Sequence, residues 1–155
     1  MSGPAIRASD AASAAPFAAL HRACFGEPWD EAAMRELLAM PGAFAYEAGD
    51  PAALDGLVIA RTAGGEAEIL TIGVRPAMRG TGLGRRLLEA AAIHAAALGA
   101  EALFLEVAED NRAALRLYEA FGFYLVGVRP GYYRREGAPV AARTLKLDLS
   151  PPSST

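Results

Sequence analysis

The sequence has little cysteine, no long apolar run and no excess of positive charge, and each shortage excludes a class of protein. Cys24 is the single cysteine among 155 residues, which rules out an internal disulfide and leaves no metal-ligand spacing, so we expect a small buried side chain and no metal. No apolar run approaches the roughly 20 residues of a membrane-spanning helix, so we expect no membrane association. The first twenty residues lack a basic segment followed by an apolar stretch, so we expect a cytoplasmic protein without a secretory signal. The formal net charge of -3 argues against general affinity for nucleic acid.

The length is that of one domain, which can enclose a core without disulfides or metal. We therefore expect a single domain over residues 1–149. The remaining residues, 150–155, contain proline, serine and threonine but no large apolar side chain, which predicts a disordered tail.

Helical and strand patterns alternate along the chain. Apolar residues at helical spacing predict four helices: 11–24, 31–40 after Asp30 as N-cap, 83–98 ending at Gly99, and 112–121 between Asn111 and Gly122. Short apolar segments bounded by turn formers predict strands over 43–47, 54–61, 66–74, 102–107, 123–128 and 143–149. The segment 102–107 is polar almost only at Glu106, which predicts a strand covered on both faces. The order predicts a mixed α/β sandwich.

A glycine-rich turn, Arg79-Gly80-Thr81-Gly82-Leu83-Gly84, joins the strand over 66–74 to the helix over 83–98. Glycines let a backbone approach a ligand closely, and the free amides of a helix start attract an anion such as a diphosphate. Neither the P-loop nor the dinucleotide pattern fits, since no Lys-Ser or Lys-Thr follows and Arg85 stands where glycine is needed. A ligand-free turn remains the alternative. Four arginines around the turn favour an anionic ligand: Arg75, Arg79, Arg85 and Arg86.

Two stretches, in their order and spacing, resemble the coenzyme A signature of the GNAT family of N-acetyltransferases. The first is Val74-Arg75-Pro76 followed by the glycine-rich turn, and the second comprises Leu105-Glu106-Val107, Asn111 and the run from Leu117 to Phe123. The resemblance implies acetyl-CoA as co-substrate. It also implies the GNAT fold, in which a splayed, mostly antiparallel sheet of six to seven strands is flanked by about four helices.

Two further segments, 24–29 and 131–133, resemble the RimI subfamily, whose members acetylate the N-terminal alanine of a small-subunit ribosomal protein. The resemblance spans about residues 5 to 149, but the stretch 134–143 is more basic and proline-broken than is usual there. We therefore expect a protein N-terminus as acceptor, with a ribosomal protein as one candidate, in a monomer or weak homodimer. The alternatives are a lysine, a polyamine or another small amine as acceptor, and a coenzyme A binding module without catalysis.

Acetyl transfer needs a base for the amine and an acid for the departing thiol. Glu106 is the candidate base because apolar surroundings raise the pKa of a carboxyl group, and its family counterpart has that role. The alternative is a carboxylate that faces solvent or pairs with an arginine. Tyr118 matches the family's general acid, and the alternative is a core tyrosine packed with Leu115 and Phe121.

The family resemblance also assigns contacts to the cofactor and acceptor. The strand over 70–74 should splay from its parallel neighbour with a bulge at Gly73, so that the amides of Ile72 and Val74 bind the pantetheine arm; an ordinary strand is the alternative. Asn111 should cap its helix and, by resemblance, contact that arm. The remaining predicted cofactor contacts are Arg79, Gly80, Thr81, Gly82, Leu83, Gly84 and Arg85. The predicted acceptor contacts are Trp29, Tyr132 and Tyr133, with Glu27 or Asp30 available to attract an ammonium group.

Overall fold

A computed structural model describes residues 3–135 and 137–149, so the predicted tail lies outside the described residues. Within these residues the helices are α1 (Ala14–Cys24), α2 (Glu31–Ala39), α3 (Leu83–Ala97) and α4 (Arg112–Phe121). The strands in the same ranges are β1 (Ile6–Ser9), β2 (Ala43–Asp50), β3 (Ala53–Ala63), β4 (Glu66–Val74), β5 (Ala102–Ala108), β6 (Tyr124–Arg135) and β7 (Ala138–Asp148). They form one sheet in the order β1-β2-β3-β4-β5-β7-β6, in which β4 and β5 pair in parallel and the other neighbours pair antiparallel.

The helix ends follow the capping residues that the sequence predicted. The Asp30 carboxylate accepts from the Ala33 amide at 2.8 Å, and the Asn111 side chain accepts from the Ala114 amide at 3.2 Å. Gly99 and Gly122 adopt positive φ angles of 90° and 119° after α3 and α4, a conformation that favours glycine. The four predicted helices are confirmed, except that residues 11–13 form a separate 3-10 turn before α1.

Strand β1 is missing from the sequence prediction, because its four residues lie in a small, mostly polar segment. It pairs with β2, and its position is fixed by the carboxylate of Glu47 on that strand. The Glu47 carboxylate accepts from Arg7 Nε at 2.9 Å and from Ser13 Oγ at 2.6 Å. Burial raises the pKa of Glu47, but the hydrogen bonds from Ser13, Ser9 and Arg7 outweigh it and lower the pKa overall.

The predicted bounds of the last two strands were too short, because Pro130 and Gly131 resemble a turn. In the structure β6 continues through them with a register shift. Arg129 pairs with Ala142 and Tyr133 pairs with Val140, so residues 130–132 of β6 face a single residue of β7. The bulge lets the strand retain its pairing where proline provides no amide.

Two apolar layers cover the sheet. One lies under α3 and α4 and includes Leu87, Leu103 and Leu145, and the other lies under α1 and α2 and includes Phe17 and Ile59. In residues 3–135 and 137–149, none of the helices has the length and apolar character needed to cross a bilayer.

Strands β4 and β5 pair only over three residues, from Glu66 opposite Ala102 to Glu68 opposite Phe104, and then diverge. The predicted splay is therefore confirmed. The predicted bulge at Gly73 was wrong, because Gly73 pairs regularly with Leu57 and the register shift leaves Leu70 as the extra residue of β4. Gly73 instead permits close packing, since a Cβ there would lie 3.3 Å from Cys24 Sγ and from the Phe25 ring.

Candidate active site

The divergence of β4 and β5 opens a gap that connects the two faces of the sheet. Leu105 and Val107 of β5 face the layer under α3 and α4, and Tyr118 of α4 belongs to that layer. Because side chains alternate along a strand, Glu106 faces the opposite side. The two predicted catalytic residues therefore lie on opposite faces of the sheet, and Glu106 lies beyond Phe104, the last residue of β5 that pairs with β4. We call the face with Tyr118 the donor face and the face with Glu106 the acceptor face.

The backbone of β4 presents polar groups to this gap. The Arg75 amide donates to the Asp55 carbonyl at 2.8 Å, so the backbone of Arg75 faces β3. Backbone groups alternate between the two sides of a strand, so those of Val74 and Ile72 face away from β3 and into the gap. These are the groups predicted to bind the pantetheine arm. The Val74 carbonyl already accepts from Cys24 Sγ at 3.4 Å and from Arg79 Nε at 3.2 Å.

The glycine-rich turn leads into the first turn of α3. The first hydrogen bond of this helix joins the Arg86 amide to the Gly82 carbonyl at 3.1 Å, so the amides of Leu83, Gly84 and Arg85 precede the helical ladder. Gly80 and Gly82 have φ angles of 79° and 87°, and a Cβ at either would meet no atom within 4 Å. The outer side of this turn is therefore open and lined by backbone donors, as an anionic ligand requires.

Other residues of the turn have structural contacts of their own. Thr81 Oγ1 donates to the Met78 carbonyl at 2.6 Å and tightens the turn. Leu83 is buried in the core. A Cβ at Gly84 would lie 3.1 Å from Leu117 Cδ2, so this glycine allows α3 to pack closely on α4. The Thr81 and Leu83 side chains thus have structural roles, so the predicted cofactor contact of these three residues would be made by their backbone amides.

Two of the four arginines predicted around the turn have partners within the protein. Arg75 NH2 lies 2.6 Å from Asp55 Oδ1, and Arg86 NH1 donates to the Pro4 carbonyl at 2.8 Å. The Arg85 guanidinium lies over the Phe121 ring at 5.2 Å, and Arg79 is exposed beside Val74. The Asp55 carboxylate therefore compensates the charge of Arg75, whereas the Pro4 carbonyl leaves Arg86 charged.

Tyr118 is buried, with 7% of its surface exposed, and its ring meets Phe123 edge-on at 5.8 Å. Packing in the core, the alternative raised by the sequence, is thus present. Burial, with a smaller contribution from Tyr133 of β6, raises the pKa of Tyr118 to about 12. The phenol therefore remains protonated at neutral pH, which a proton donor requires.

Glu106 pairs with an arginine that the sequence analysis did not single out. Arg129 Nε lies 3.0 Å from Glu106 Oε2, and Thr144 Oγ1 lies 3.5 Å from the same oxygen. Arg129 immediately precedes the bulge in β6, and its guanidinium lies 5.2 Å from the centre of the Tyr132 ring. The ion pair matches the alternative in which this carboxylate meets an arginine, although Glu106 remains one-quarter exposed.

Strand β5 was predicted to be covered on both faces, and this is wrong for the acceptor face. Phe104 and Glu106 are only half-buried, because α1 and α2 cover β2 to β4 but not this part of the sheet. An open cleft of about 330 Å³ lies there. Its lining combines acidic, basic and apolar side chains: Arg61, Ala63, Glu66, Ala67, Glu68, Phe104, Glu106, Arg129 and Thr144.

The predicted acceptor contacts come from two separate segments. Tyr132 is about half exposed in the bulge of β6, and its ring meets Tyr133 edge-on at 5.1 Å. Trp29, in the segment between α1 and α2, is 37% exposed. Glu27 and Asp30 are both exposed in that segment, and the Asp30 carboxylate also caps α2.

The sequence analysis assigned no role to His21, but the structure gives it several polar and aromatic contacts. It is buried near the end of α1, and its Nδ1 accepts from the Trp29 amide at 2.9 Å. Its Nε2 lies 3.2 Å from Thr71 Oγ1 on β4. A lone histidine at helical spacing gives no signal of these contacts, because both partners are distant from it in the sequence or lie in the backbone.

Comparison with known proteins identifies the family. Residues 14–123 match the Acetyltransferase (GNAT) family. The N-alpha-acetyltransferase RimI of Mycobacterium tuberculosis is 40% identical over 131 residues, which cover 82% of this chain and 80% of that protein. The mycothiol acetyltransferase of Mycobacteroides abscessus is 43% identical over only 70 residues, or 45% of this chain and 24% of that protein.

Solved structures share the fold. A ribosomal-protein-alanine N-acetyltransferase from Escherichia coli superposes with a TM-score of 0.89 at 24% identity, covering 99% of this chain and 98% of that one. NAA60 from Arabidopsis thaliana, in complex with acetyl-CoA, has a TM-score of 0.81 at 17% identity, covering 95% and 99%. The chain belongs to the GNAT family of acetyltransferases and is an acetyl-CoA-dependent enzyme.

Proposed function

We propose that this enzyme acetylates a protein N-terminal α-amine, with the N-terminal alanine of a small-subunit ribosomal protein as the leading candidate. The observation that carries the proposal is the gap that opens between β4 and β5 where β5 reaches Glu106, with Tyr118 on the opposite face of the sheet. The similarity to an N-alpha-acetyltransferase over 82% of the chain supports an α-amine as the acceptor.

The chain's backbone fits acetyl-CoA as the donor substrate. The free amides at the start of α3 would bind the diphosphate, since they are unpaired within the helix and the space outside Gly80 and Gly82 is open. The amides of Ile72 and Val74 would bind the pantetheine arm as a strand binds its neighbour. The thioester would then lie in the gap, and Asn111 would line its approach.

The two sides of the gap supply the proton transfers. Glu106 would accept a proton from the ammonium of the acceptor, directly or through a water, and the free amine would attack the thioester carbonyl. The attacking nitrogen would lose its second proton to solvent as the tetrahedral intermediate collapses to the amide. As the carbon–sulfur bond breaks, Tyr118 would donate to the departing sulfur. A phenol with a pKa of about 12 is a weaker acid than a thiol, so its contribution is a strong hydrogen bond to the thiolate, with the proton following from solvent.

The acceptor would enter on the acceptor face. Trp29 and Tyr132 are exposed on separate segments, and the open cleft on the acceptor face lies beside Glu106 and Arg129. Aromatic side chains at such an entrance suit an extended peptide, because they provide rigid apolar contact area. Tyr133 would border the site close to Tyr118.

The test is acetylation of peptides by the purified protein. A peptide that starts with Ala-Arg should gain one acetyl group on its α-amine in the presence of acetyl-CoA, as localised by fragmentation mass spectrometry. A matched peptide with a blocked N-terminus and one internal lysine should gain none. Acetylation of the lysine peptide or of a polyamine, without the α-amine, would instead favour the small-amine or lysine alternative.

A variant of Glu106 distinguishes an enzyme from a binding module without catalysis. Glu106→Gln keeps the size of the side chain but removes its basicity, so we expect turnover to fall by about a hundredfold or more with acetyl-CoA affinity unchanged. Absence of thiol release by the wild-type protein with every amine tested, together with retained acetyl-CoA binding, would leave only the non-catalytic module.

A further inference from the structure

The contacts of His21 determine its protonation state. Because the Trp29 amide donates to Nδ1, that nitrogen must carry a lone pair, and the proton of a neutral ring is then on Nε2. The Nε2 proton points at Thr71 Oγ1, 3.2 Å away. A charged ring would place an N–H group against the Trp29 amide, so the observed geometry requires neutral histidine.

Aromatic rings enclose the imidazole on its two faces. The Trp29 ring stacks at 4.9 Å with an interplanar angle of 13°, and the Phe25 ring lies at 4.2 Å with an angle of 31°. Both belong to the segment between α1 and α2. His21 thus holds this segment by one hydrogen bond and two ring contacts, while Thr71 fixes the far side of the ring to the sheet.

The position of Thr71 connects this contact to the proposed site. Thr71 pairs with Ile59, whose side chain belongs to the layer under α1 and α2, so Thr71 lies on the acceptor face. It also lies in the part of β4 beyond Glu68, where β4 has left β5. His21 therefore joins the segment that carries Trp29 to the edge of the gap, on the side that Glu106 faces.

We propose that His21 is a positioning residue for the acceptor, which holds the Trp29 segment against the splayed part of β4 through its neutral imidazole. The inference rests on the proposed function, because it takes Trp29 and the acceptor face as the place where the amine enters. Without the Nδ1 acceptor, the Trp29 amide loses its partner and the segment loses its defined distance from Thr71. The proposed acceptor site then no longer has a fixed width.

The chain contains a matched control in its second histidine. His94 of α3 stacks on Phe44 at 4.0 Å and 3°, and its Nδ1 lies 2.8 Å from the Tyr46 hydroxyl. Phe44 belongs to the layer of the donor face. Burial lowers the pKa of both histidines, and among the described residues no charged group contributes to either shift. The two side chains differ in location, and only His21 contacts the Trp29 segment.

The single tryptophan of the chain allows a test that does not depend on activity. The emission of Trp29 should change as the pH falls through the pKa of His21, which burial holds below its ordinary value. Protonated His21 can no longer accept from the Trp29 amide, and it quenches a stacked indole differently from the neutral ring. His21→Asn should abolish this transition, since its amide does not titrate but its oxygen still accepts from the Trp29 amide. His94→Asn should keep it.

Kinetics test the positioning itself. His21→Leu preserves apolar packing but removes the acceptor, so we expect the KM of the peptide acceptor to rise about tenfold, the effect of one unmade buried hydrogen bond. The Kd of acetyl-CoA should stay unchanged. His21→Asn should stay within about threefold of the wild type, and His94→Leu should leave the acceptor KM unchanged. Thr71→Val, which removes only the hydroxyl, provides a further variant if His21→Leu does not fold, with an expected rise of a few-fold.

The outcomes separate this inference from the proposed function. An unchanged acceptor KM in both His21→Leu and Thr71→Val, in an enzyme that acetylates the peptide, would overturn the inference and leave the function intact. A pH-dependent emission that persists in His21→Asn would overturn it as well. If no amine is acetylated by the wild-type protein, the proposed function fails, and the emission titration still decides whether His21 holds the Trp29 segment.

Discussion

The two faces of the gap use different kinds of chemical groups. On the donor face, the groups that would bind acetyl-CoA are mostly backbone amides, presented by β4 and by the first turn of α3. On the acceptor face, side chains dominate, with Glu106 paired to Arg129 and Trp29 stacked on His21. Backbone groups tolerate many sequences as long as glycine keeps the path open, whereas side-chain contacts change with every substitution. The donor site is therefore readily recognised from the sequence, whereas the acceptor site is not.

Tyr118 is the exception on the donor face, because its proposed role belongs to its side chain, and removal of its hydroxyl should have the largest effect. Tyr118→Phe keeps the buried ring in place and removes the hydroxyl. We expect turnover to fall by about 10² to 10⁴, with the Kd of acetyl-CoA unchanged in calorimetry. Tyr124→Phe is the control, since that exposed tyrosine only donates to Asp148 at 2.9 Å. Equal turnover of the two variants would remove Tyr118 from the mechanism.

A pair of glycines tests whether the donor face depends on open backbone. Gly82 and Gly65 have φ angles of 87° and 83°, and neither has an atom within 4 Å of a built Cβ. Alanine should therefore cost each about 1 kcal/mol of folding free energy. Only Gly82→Ala should raise the Kd of acetyl-CoA, by about tenfold, because its methyl group occupies the approach of the diphosphate. Equal affinity in both variants would argue against a diphosphate at this turn.

Arg129 tests the side-chain character of the acceptor face. Its guanidinium occupies the Glu106 oxygen that an acceptor ammonium would approach. Because an exposed ion pair is worth about 0.2 to 1 kcal/mol, Arg129→Met should lower the acceptor KM by at most about fivefold in steady-state assays. Arg35→Met, which breaks the surface pair with Glu31, should leave this KM unchanged. A higher KM in Arg129→Met would mean that the arginine binds the acceptor.

Substitution of the two histidines should have the smallest effect. It compares how the two faces contribute to the pH dependence of the free energy of unfolding. Burial lowers the pKa of His21 and His94 below the ordinary 6.5, so the unfolded chain binds protons first as the pH falls. The free energy of unfolding should therefore decrease as the pH drops below about 6.5, and level off below the folded-state pKa values until Glu47 titrates. Denaturant unfolding of His21→Asn and His94→Asn should each show a flatter dependence than the wild type. If neither variant reduces the slope of the free energy of unfolding against pH, other titratable groups cause the loss of stability.

Much of the donor half could be predicted from sequence because its signals are local. A capping side chain such as Asn111, a terminal glycine such as Gly122 and the glycine-rich turn act within a few residues of where they stand. The bounds of β4 were predicted correctly for the same reason, since Gly64-Gly65 and Pro76 delimit it. Local geometry and local sequence agree in this region.

The failures involve partners that are distant in the chain. Arg75 was expected to face an anion, but Asp55 on the neighbouring strand holds it. Arg129 and His21 were not singled out, because Arg129 meets Glu106 through the order of strands in the sheet and His21 meets Thr71 through the packing of α1 on β4. The bulge lies at Leu70 and not at Gly73, because the register of β4 depends on its partner strand as well as on its own sequence. Glycine at position 73 instead allows close packing with Cys24 and Phe25.

The short ladder between β4 and β5 also has a mechanical consequence. The sheet consists of two blocks, β1 to β4 and β5 to β7, whose direct strand pairing is limited to residues 66–68 and 102–104. A ligand bound along the open edge of β4 would take the place of the missing ladder and join the blocks. Saturating acetyl-CoA should thus raise the melting temperature and slow amide hydrogen exchange on both sides of the seam, because a ligand that binds the folded state stabilises it by an amount that grows with the logarithm of the ligand concentration relative to its Kd.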